Sequence, residues 1–355
     1  MKVTEEDCRC AAKAGCDAPL EVITPRRIRK VSRKLAREWK MLSNCAEPHG
    51  LTISEAHALI ELEERGPLAV QAMADLLLVD KSNASRALQS LAGQGFVQFE
   101  QSSTDGRAKL AVLTDAGHKR VGQLHDHIDA QVTGGLTLLA AHEQQKVLDG
   151  LATYARALRY SRLQEGFSLR PATPQDNEAI AEIIRSVSEE YGLTAEAGYA
   201  VGDASVDNMY AAYDCNGAQY WVVEHKGRVV GGGGIAPLAG GGGTVGELQK
   251  MYFMPECRGR GLGRRLVLGA MEYARSYGYT TCYLETTGVL KEAIALYEKL
   301  GFIRLEKPLG SNGHCVCEAR YVYPLTDAAL HVAPPDASED LPQQAPVAGT
   351  GCCCS

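Results

Sequence analysis

The stretch CRGRGLGRRL, residues 257–266, places four arginines and three glycines in ten consecutive positions. The residues before it, VGELQKMYFM (245–254), have the pattern of a β-strand. Apolar side chains follow at helical spacing, at Leu266, Val267, Ala270, Met271 and Ala274. A glycine-rich turn between a strand and a helix exposes backbone N–H groups at the helix N-terminus, where a phosphate is well stabilised. The stretch therefore predicts a phosphate-binding turn whose arginines neutralise the ligand.

The spacing of the glycines narrows the type of ligand. They lie at positions 259, 261 and 263, which is not the G-x-G-x-x-G order of a dinucleotide fold. The Lys-Ser or Lys-Thr pair that ends a P-loop is absent, and no repeating βαβ pattern precedes the stretch. A pyrophosphate is the ligand that fits best, and an ordinary basic turn is the alternative.

The pattern R-x-x-G-x-G, which begins at Arg258 and follows a Met-Pro pair, resembles the acyl-coenzyme A loop of GNAT-type N-acetyltransferases. The resemblance covers residues 168–325 and implies an α+β fold with a central mixed, mostly antiparallel sheet. It also implies acetyl-CoA as the acetyl donor, bound where one strand splays from its neighbour and exposes the backbone at Met251 and Phe253. The loop residues that the resemblance assigns to the pyrophosphate are Arg258, Gly259, Arg260, Gly261, Gly263 and Arg264.

Two side chains are candidates for proton transfer. The segment YEKLGF (297–302) also matches the GNAT pattern and implies that Tyr297 is the general acid that protonates the departing thiolate. A phenol can donate a proton without carrying charge in its resting state; a position in the core is the alternative for this residue. Glu247, on the strand ahead of the loop, is the candidate general base, with a cross-strand structural carboxylate as the alternative and Glu285 as the reserve candidate. Direct transfer to an amine needs no metal ion, and the sequence does not identify the amine.

The first half of the chain has a helix-turn-helix pattern followed by a hairpin pattern. Helix starts are indicated at Thr24, Thr52 and Asp80, whose side chains can accept hydrogen bonds from a first helical turn. Two strand patterns, 96–100 and 109–114, then flank an Asp-Gly turn. This order of elements is typical of a winged helix that binds duplex DNA. The side chains expected to face DNA are Ser82, Asn83, Ser85, Arg86 and Gln89 on the third helix, and Arg107 and Lys109 at the hairpin tip.

The segments ASRALQSLAGQGFV (84–97) and DGRAKLAVLTDAGHKR (105–120) resemble MarR-type transcriptional regulators. The resemblance covers residues 24–165 and implies a homodimer whose two recognition helices bind a palindromic operator in double-stranded DNA. The last two helices of this half, predicted to be split at Gly134-Gly135, supply the candidate dimer surface.

The length of the chain and its charge distribution predict two domains, and its hydropathy predicts a cytoplasmic location. The 355 residues carry a formal net charge of −6, distributed unevenly along the chain. Residues 24–165 hold 19 Lys and Arg against 16 Asp and Glu, whereas residues 166–355 hold 15 against 22, so the first half is the better partner for a polyanion. The sequence has no apolar run of membrane-spanning length and no secretory signal at its start, which predicts a cytoplasmic location without membrane attachment.

These observations predict a MarR-like DNA-binding and dimerisation domain over 24–165 and a GNAT-like N-acetyltransferase domain over 166–325. A mobile segment over 1–23 contains cysteines, and a disordered Pro/Ala-rich tail over 326–355 ends in CCCS. The leading hypothesis is a bifunctional regulator and acetyltransferase. The alternatives are a transcription factor that senses acyl-CoA without turnover, an enzyme that uses the winged helix only to dimerise, and a thiol-based metal or metalloid sensor. The last would use the terminal cysteines, although their spacing does not favour a zinc site.

Overall fold

The computed structural model describes residues 23–39, 50–102, 109–310 and 317–326. The chain divides into two compact units, with the boundary between Lys146 and Val147. No helix in the described ranges is both long enough and apolar enough to cross a lipid bilayer. Residues 1–22 and 327–355, which hold cysteines of the two predicted mobile ends, lie outside the described residues, as does Arg107 of the predicted hairpin tip.

The first unit is a set of helices with a small sheet. Its helices are α1 (Pro25–Glu38), α2 (Ile53–Arg65), α3 (Val70–Leu77), α4 (Lys81–Gly93) and α5 (Asp115–Leu136), and its strands are β1 (Leu68–Ala69), β2 (Val97–Gln101) and β3 (Lys109–Leu113). The predicted helix starts are confirmed by hydrogen bonds. The side chain of Thr24 accepts from the Arg27 amide, Thr52 and Glu55 form a capping box, and Asp80 accepts from the Asn83 amide. Each side chain satisfies a backbone N–H that the first helical turn leaves without a partner.

The sheet of the first unit has the strand order β1-β3-β2, and both pairs are antiparallel. The hairpin β2–β3 follows α4 directly, as the winged-helix prediction requires. One apolar core joins helices α2, α3, α4 and α5 to this sheet, because the buried side of α4 packs with residues from the other three. Its members include Leu59, Leu62, Met73, Leu88, Leu91, Val97 and Val121.

The predicted break at Gly134-Gly135 is wrong. Helix α5 continues through both glycines to Leu136, and the next helix, α6, spans Ala141–Leu163. A glycine inside a helix costs about 1 kcal/mol relative to alanine, which a helix of 22 residues can absorb. The break instead lies over residues 137–140, where the Glu143 side chain accepts a hydrogen bond from the Ala140 amide at 2.9 Å.

The second unit is built on one sheet with helices on both faces. After α6, which contains the boundary between the units, its elements are β4 (Phe167–Pro171), α7 (Asn177–Glu190), α8 (Met209–Ala212), β5 (Gln219–His225), β6 (Arg228–Pro237), β7 (Val245–Phe253), α9 (Leu262–Tyr277), β8 (Thr281–Thr286), α10 (Lys291–Lys299), β9 (Ile303–Leu305) and β10 (Ala319–Pro324). The seven strands have the order β4-β5-β6-β7-β8-β10-β9. Among the strands of the described residues, only β7 and β8 pair in parallel, which confirms the predicted mixed, mostly antiparallel sheet.

The two faces of this sheet carry different layers of the core. Consecutive residues of a strand point to opposite faces, so Ile235 and Ala236 on β6 belong to different clusters. Ile235 packs with α9 and α10, and Ala236 packs with α7 and α8. The sheet is therefore covered by helices on both faces.

Candidate functional site

Strands β7 and β8 separate part of the way along their length. Their parallel register runs from Val245↔Thr281 to Leu248↔Leu284 and goes no further, although β7 continues to Phe253. In its second half β7 stays paired with β6, and the register there shifts at a bulge where Lys250 has a φ of +50°. A wedge-shaped gap thus opens between β7 and β8, and the backbone beyond Leu248 faces it. The predicted pantetheine-binding positions, 251 and 253, lie in this stretch.

The quoted loop turns directly from β7 into α9. Gly259 and Gly261 have φ values of +72° and +75°, a region that other residues adopt only with strain. Gly261 is the N-cap of α9 and provides no side-chain hydrogen bond, and the first turn of the helix contains no acidic residue. The amides at 262–264 therefore keep their N–H groups for an external acceptor, and the helix dipole adds partial positive charge at the same point. This combination favours an anionic ligand, and a pyrophosphate fits these donors.

Arg258 is held by partners away from this helix terminus. Its guanidinium donates to both carboxylate oxygens of Glu190 at 2.6 Å and to the Phe253 carbonyl at 2.8 Å, and it lies over the Tyr191 ring. The paired arginine lowers the pKa of Glu190 below its usual value. Arg258 therefore ties the loop to the C-terminal end of α7.

Arg260 and Arg264 differ in whether their side chains already have partners within the protein. Arg260 donates to the carbonyls of Glu256 and Leu163 and lies over the Phe167 ring. Arg264 is half-buried and has no hydrogen-bonding or ionic partner among the described residues. Of the three arginines that the resemblance assigns to the pyrophosphate, Arg264 is therefore the one whose guanidinium has no partner in the described part of the chain.

Tyr297 lies on α10 beneath the separated half of β7. Its hydroxyl is 3.7 Å from the sulfur of Met251, its ring packs against Phe302, and only 6% of the residue is exposed. Burial raises the pKa of Tyr297 well above the usual value for tyrosine. The phenol accordingly stays protonated at neutral pH, as a general acid must before it donates.

Glu247 is one of the few buried carboxylates, at 4% exposure. A side-chain relay orients it: the Tyr213 hydroxyl donates to the Gln249 amide oxygen at 3.1 Å, and the Gln249 amide nitrogen donates to Glu247 at 2.6 Å. Sequence reasoning missed the two relay residues. The spacing of two between 247 and 249 on one strand was the available signal for Gln249, because alternate residues share a face. Nothing in the local sequence pointed to Tyr213.

Glu285, the second candidate base, lies on β8 just past the last residue paired with β7. One carboxylate oxygen accepts from the Tyr283 hydroxyl and lies 3.7 Å from the Arg320 guanidinium. The other oxygen is buried without a hydrogen-bond partner. In the sheet, Tyr283 is the register partner of Glu247 on the neighbouring strand. Both candidate bases therefore adjoin the point where the strands separate.

In the first unit, the predicted DNA-facing residues lie on the outer side of α4. Ser82, Asn83, Arg86 and Gln89 are exposed, and Ser85 is half-buried. Asn83 is positioned by its neighbours, since it donates to the Asp80 carboxylate at 2.6 Å and accepts from Arg86. Lys109 is exposed at the start of β3.

No group of three or more His, Cys, Asp or Glu side chains suited to a metal ion occurs among the described residues. The described cysteines are reduced, and Cys257, inside the loop, has its thiol against the Val230 carbonyl at 3.2 Å. Burial raises the pKa of the Cys257 thiol to about 11. Cys257 therefore packs inside the loop as a protonated thiol and is not a reactive thiolate.

Comparisons with known proteins identify both halves. Residues 183–302 match the family described as Acetyltransferase (GNAT) family, and residues 49–108 match the MarR family. The "Uncharacterized N-acetyltransferase YjgM" of Escherichia coli (strain K12) is 58% identical over 152 residues, which cover 43% of this chain and 91% of that protein.

Two solved structures resemble single halves of the chain. The protein yncA from Salmonella typhimurium, whose structure was determined with its cofactor acetyl-CoA, is 24% identical, and the match covers 48% of this chain and 99% of yncA with a TM-score of 0.38. A MarR protein from Peptoclostridium difficile is 17% identical, covers 41% and 94%, and has a TM-score of 0.34.

The strand separation, the glycine turn and α9 all lie within residues 183–302, the range that matches the GNAT family. Helices α2, α3 and α4 and strand β2 of the winged helix lie within the range of the other match. The chain therefore belongs to the GNAT family of acetyltransferases, and it carries a MarR-type winged-helix domain ahead of the GNAT domain.

Proposed function

We propose that this protein is both a DNA-binding transcriptional regulator and an acetyl-CoA-dependent N-acetyltransferase. The observation that supports the second activity best is the separation of β7 from β8 directly ahead of the uncapped N-terminus of α9. This arrangement offers backbone donors to a pantetheine chain and to a pyrophosphate in consecutive positions, as coenzyme A requires. The acceptor is an amine, whose identity is open.

The side chains divide the proton transfers between them. Glu247, oriented by Gln249, accepts a proton from the acceptor ammonium, directly or through water, so that the free amine can attack the thioester carbonyl. Tyr297 then donates its proton to the departing thiolate from its position beside Met251. Backbone N–H groups on the separated half of β7 polarise the carbonyl oxygen.

The first unit supports DNA binding by a dimer. The exposed side of α4 combines a guanidinium, amides and hydroxyls, the groups that hydrogen-bond base edges and phosphates in the major groove. Apolar side chains are exposed along α1 and α5 of this unit, where a second copy would cover them: Val31, Ile128 and Val132. A homodimer with two copies of α4 would bind a palindromic operator.

The test of the acyl-CoA site is a calorimetric titration of the reduced protein with acetyl-CoA. Calorimetry avoids thiol reagents, which would react with the accessible cysteines among the twelve of the chain. The variant Gly261→Val places a branched side chain at a φ of +75° in the predicted pyrophosphate turn. The matched control Gly242→Ala changes another glycine of positive φ, in open space outside the site.

We expect stoichiometric binding by the wild type and by Gly242→Ala, and a loss of affinity of at least about 100-fold in Gly261→Val, since several backbone donors are displaced together. Absence of binding by the wild type would refute the acetyltransferase and the acyl-CoA sensor alike. Binding without transfer to any amine of a broad panel would favour the sensor.

A further inference from the structure

The end of helix α6 lies against the pyrophosphate turn, within the second unit. A Cβ atom built on Gly261 would be 2.6 Å from Cγ of the Tyr160 ring, so the ring is in direct contact with the backbone of the turn. Glycine is therefore required at 261 for two independent reasons: its positive φ and the proximity of Tyr160. Tyr160 thus contacts the turn on the side where a side chain at position 261 would collide with its ring.

The next residues of the same segment fix the neighbouring position of the loop. The side-chain amide of Gln164 donates to the Arg260 carbonyl at 3.0 Å. In return, the Arg260 guanidinium donates to the carbonyl of Leu163, the last residue of α6, at 3.4 Å and lies 5.4 Å from the centre of the Phe167 ring. A cation at the C-terminus of a helix is stabilised by the partial negative charge there. Residues 160–167 thus hold Arg260 through both its backbone and its side chain.

These contacts act on the two residues that immediately precede the free amides of α9. The direction of those amides depends on the conformation of Arg260 and Gly261, and a site that is held in its binding conformation loses less entropy when the ligand binds. Tyr160 and Gln164 lie outside residues 183–302, the range that matches the GNAT family. Both contacts come from the segment that precedes β4, the first strand of the sheet.

We propose that Tyr160 and Gln164 are positioning residues of the acyl-CoA site. They hold the turn at 260–261 in the conformation that binds the pyrophosphate, and so they set the affinity for that part of the acyl donor. The proposal rests on the acyl-CoA binding proposed above.

The experiment compares two ligands on full-length variants. Acetyl-CoA contains the pyrophosphate, whereas S-acetyl-pantetheine contains only the part that would lie along β7. The variants are Tyr160→Ala, which removes the ring, Tyr160→Phe, which keeps it, and Gln164→Ala, which removes the bond to the Arg260 carbonyl. The control Arg159→Ala changes an exposed residue next to Tyr160 on the same helix. Calorimetry measures acetyl-CoA affinity, ligand-observed NMR measures S-acetyl-pantetheine affinity, and circular dichroism measures thermal stability.

We expect Tyr160→Ala to weaken acetyl-CoA binding about tenfold, equivalent to about 1.4 kcal/mol, and Gln164→Ala to weaken it about threefold. Tyr160→Phe and Arg159→Ala bind like the wild type, and S-acetyl-pantetheine binds all variants equally. Unchanged acetyl-CoA affinity in Tyr160→Ala would overturn the proposal, as would an equal loss for both ligands, which indicates general destabilisation. If Tyr160→Ala does not fold, wild-type affinity in Gln164→Ala overturns it. Failure of the wild type to bind acetyl-CoA refutes the proposed acyltransferase function itself, a result distinct from each of these.

Discussion

The two units place their candidate functional side chains in opposite environments. On α4 of the first unit, Asn83 and Arg86 are exposed on a helix whose other face is locked into the core. In the second unit, Glu247 and Tyr297 are 4% and 6% exposed. DNA recognition needs side chains that project from a rigid element, whereas proton transfer benefits from removal of water, which strengthens electrostatic interactions. Substitutions on α4 should therefore change DNA affinity without changing stability. Substitutions of Glu247 and Tyr297 should test whether these buried side chains take part in proton transfer.

The largest effect is expected for Tyr297→Phe, which removes only the buried hydroxyl. We expect the kcat for transfer from acetyl-CoA to fall about 100-fold, the lower end of the usual range for general acid catalysis, while acetyl-CoA affinity stays unchanged. The rate is measured by mass spectrometry with the amine that the wild type acetylates fastest from a panel of amino acids and polyamines. The control Tyr277→Phe removes a hydroxyl from an exposed tyrosine of α9. An unchanged kcat in Tyr297→Phe would show that its burial is a matter of packing.

The second-largest effect on kcat is expected at Glu247, the candidate general base. Glu247→Gln keeps the shape of the side chain and should lower kcat by up to about 100-fold near neutral pH, because the acceptor ammonium loses its proton acceptor. The deficit should shrink as the pH rises, since more of the amine is then already unprotonated. The same pH series on Glu285→Gln separates the two candidates. If Glu285→Gln shows the larger and pH-dependent deficit, the base assignment moves to β8.

For the first unit, Arg86→Ala should weaken binding to an operator selected from random duplexes about tenfold, within the range for loss of one side chain that contacts DNA. Its thermal midpoint should match the wild type because the side chain is exposed. The control is Arg65→Ala, an exposed arginine paired with Glu61 on α2. Equal DNA affinity in wild type and Arg86→Ala would contradict α4 as the recognition helix.

The smallest effect concerns a buried carboxylate without a catalytic assignment. Asp176 accepts two hydrogen bonds from the Arg170 guanidinium, at 2.8 and 2.9 Å, and this arginine lowers the pKa of Asp176 to about 2. Because the folded pKa lies below the unfolded value of about 3.9, the contribution to stability is complete above pH 4 and is lost as the pH falls towards 2.

We expect about 1 kcal/mol from this pair, reduced by solvent at the partly exposed arginine. Urea unfolding of wild type and Asp176→Asn at pH 6 and pH 3 measures it. The stability gap between the two proteins should narrow at the lower pH. A gap that does not change with pH would mean that the ion pair does not contribute.

Local sequence predicted the elements of both units well. The N-caps at Thr24, Thr52 and Asp80 each involve a single helical turn, so a segment of four residues is enough to predict each helix start. The break at Gly134-Gly135 was predicted wrongly because helix propensity is a weak preference that a long helix overrides. The glycine turn was identified because positive φ and close approach both require glycine at fixed positions of the chain.

The sequence did not predict hydrogen bonds between side chains that are distant in the chain. Arg258 pairs with Glu190, 68 residues away, and Gln249 is held by Tyr213, 36 residues away. No local pattern favours these residues over the other charged and polar side chains of the chain, because only the fold brings them within hydrogen-bond distance.

The sequence by itself determined the order of the elements and the glycine turn between β7 and α9, while its resemblance to known families gave the two domain types and Tyr297 as a candidate acid. The elements and the turn depend on periodicity, on caps and on the unique backbone freedom of glycine, all of which are properties of short segments. Only the tertiary structure decided which arginines are available to a ligand, where β7 leaves β8, and that Tyr160 supports the turn at Gly261. The physical reason is that charge pairing, burial and strand separation are set by residues distant in the chain, and packing alone determines which of them meet.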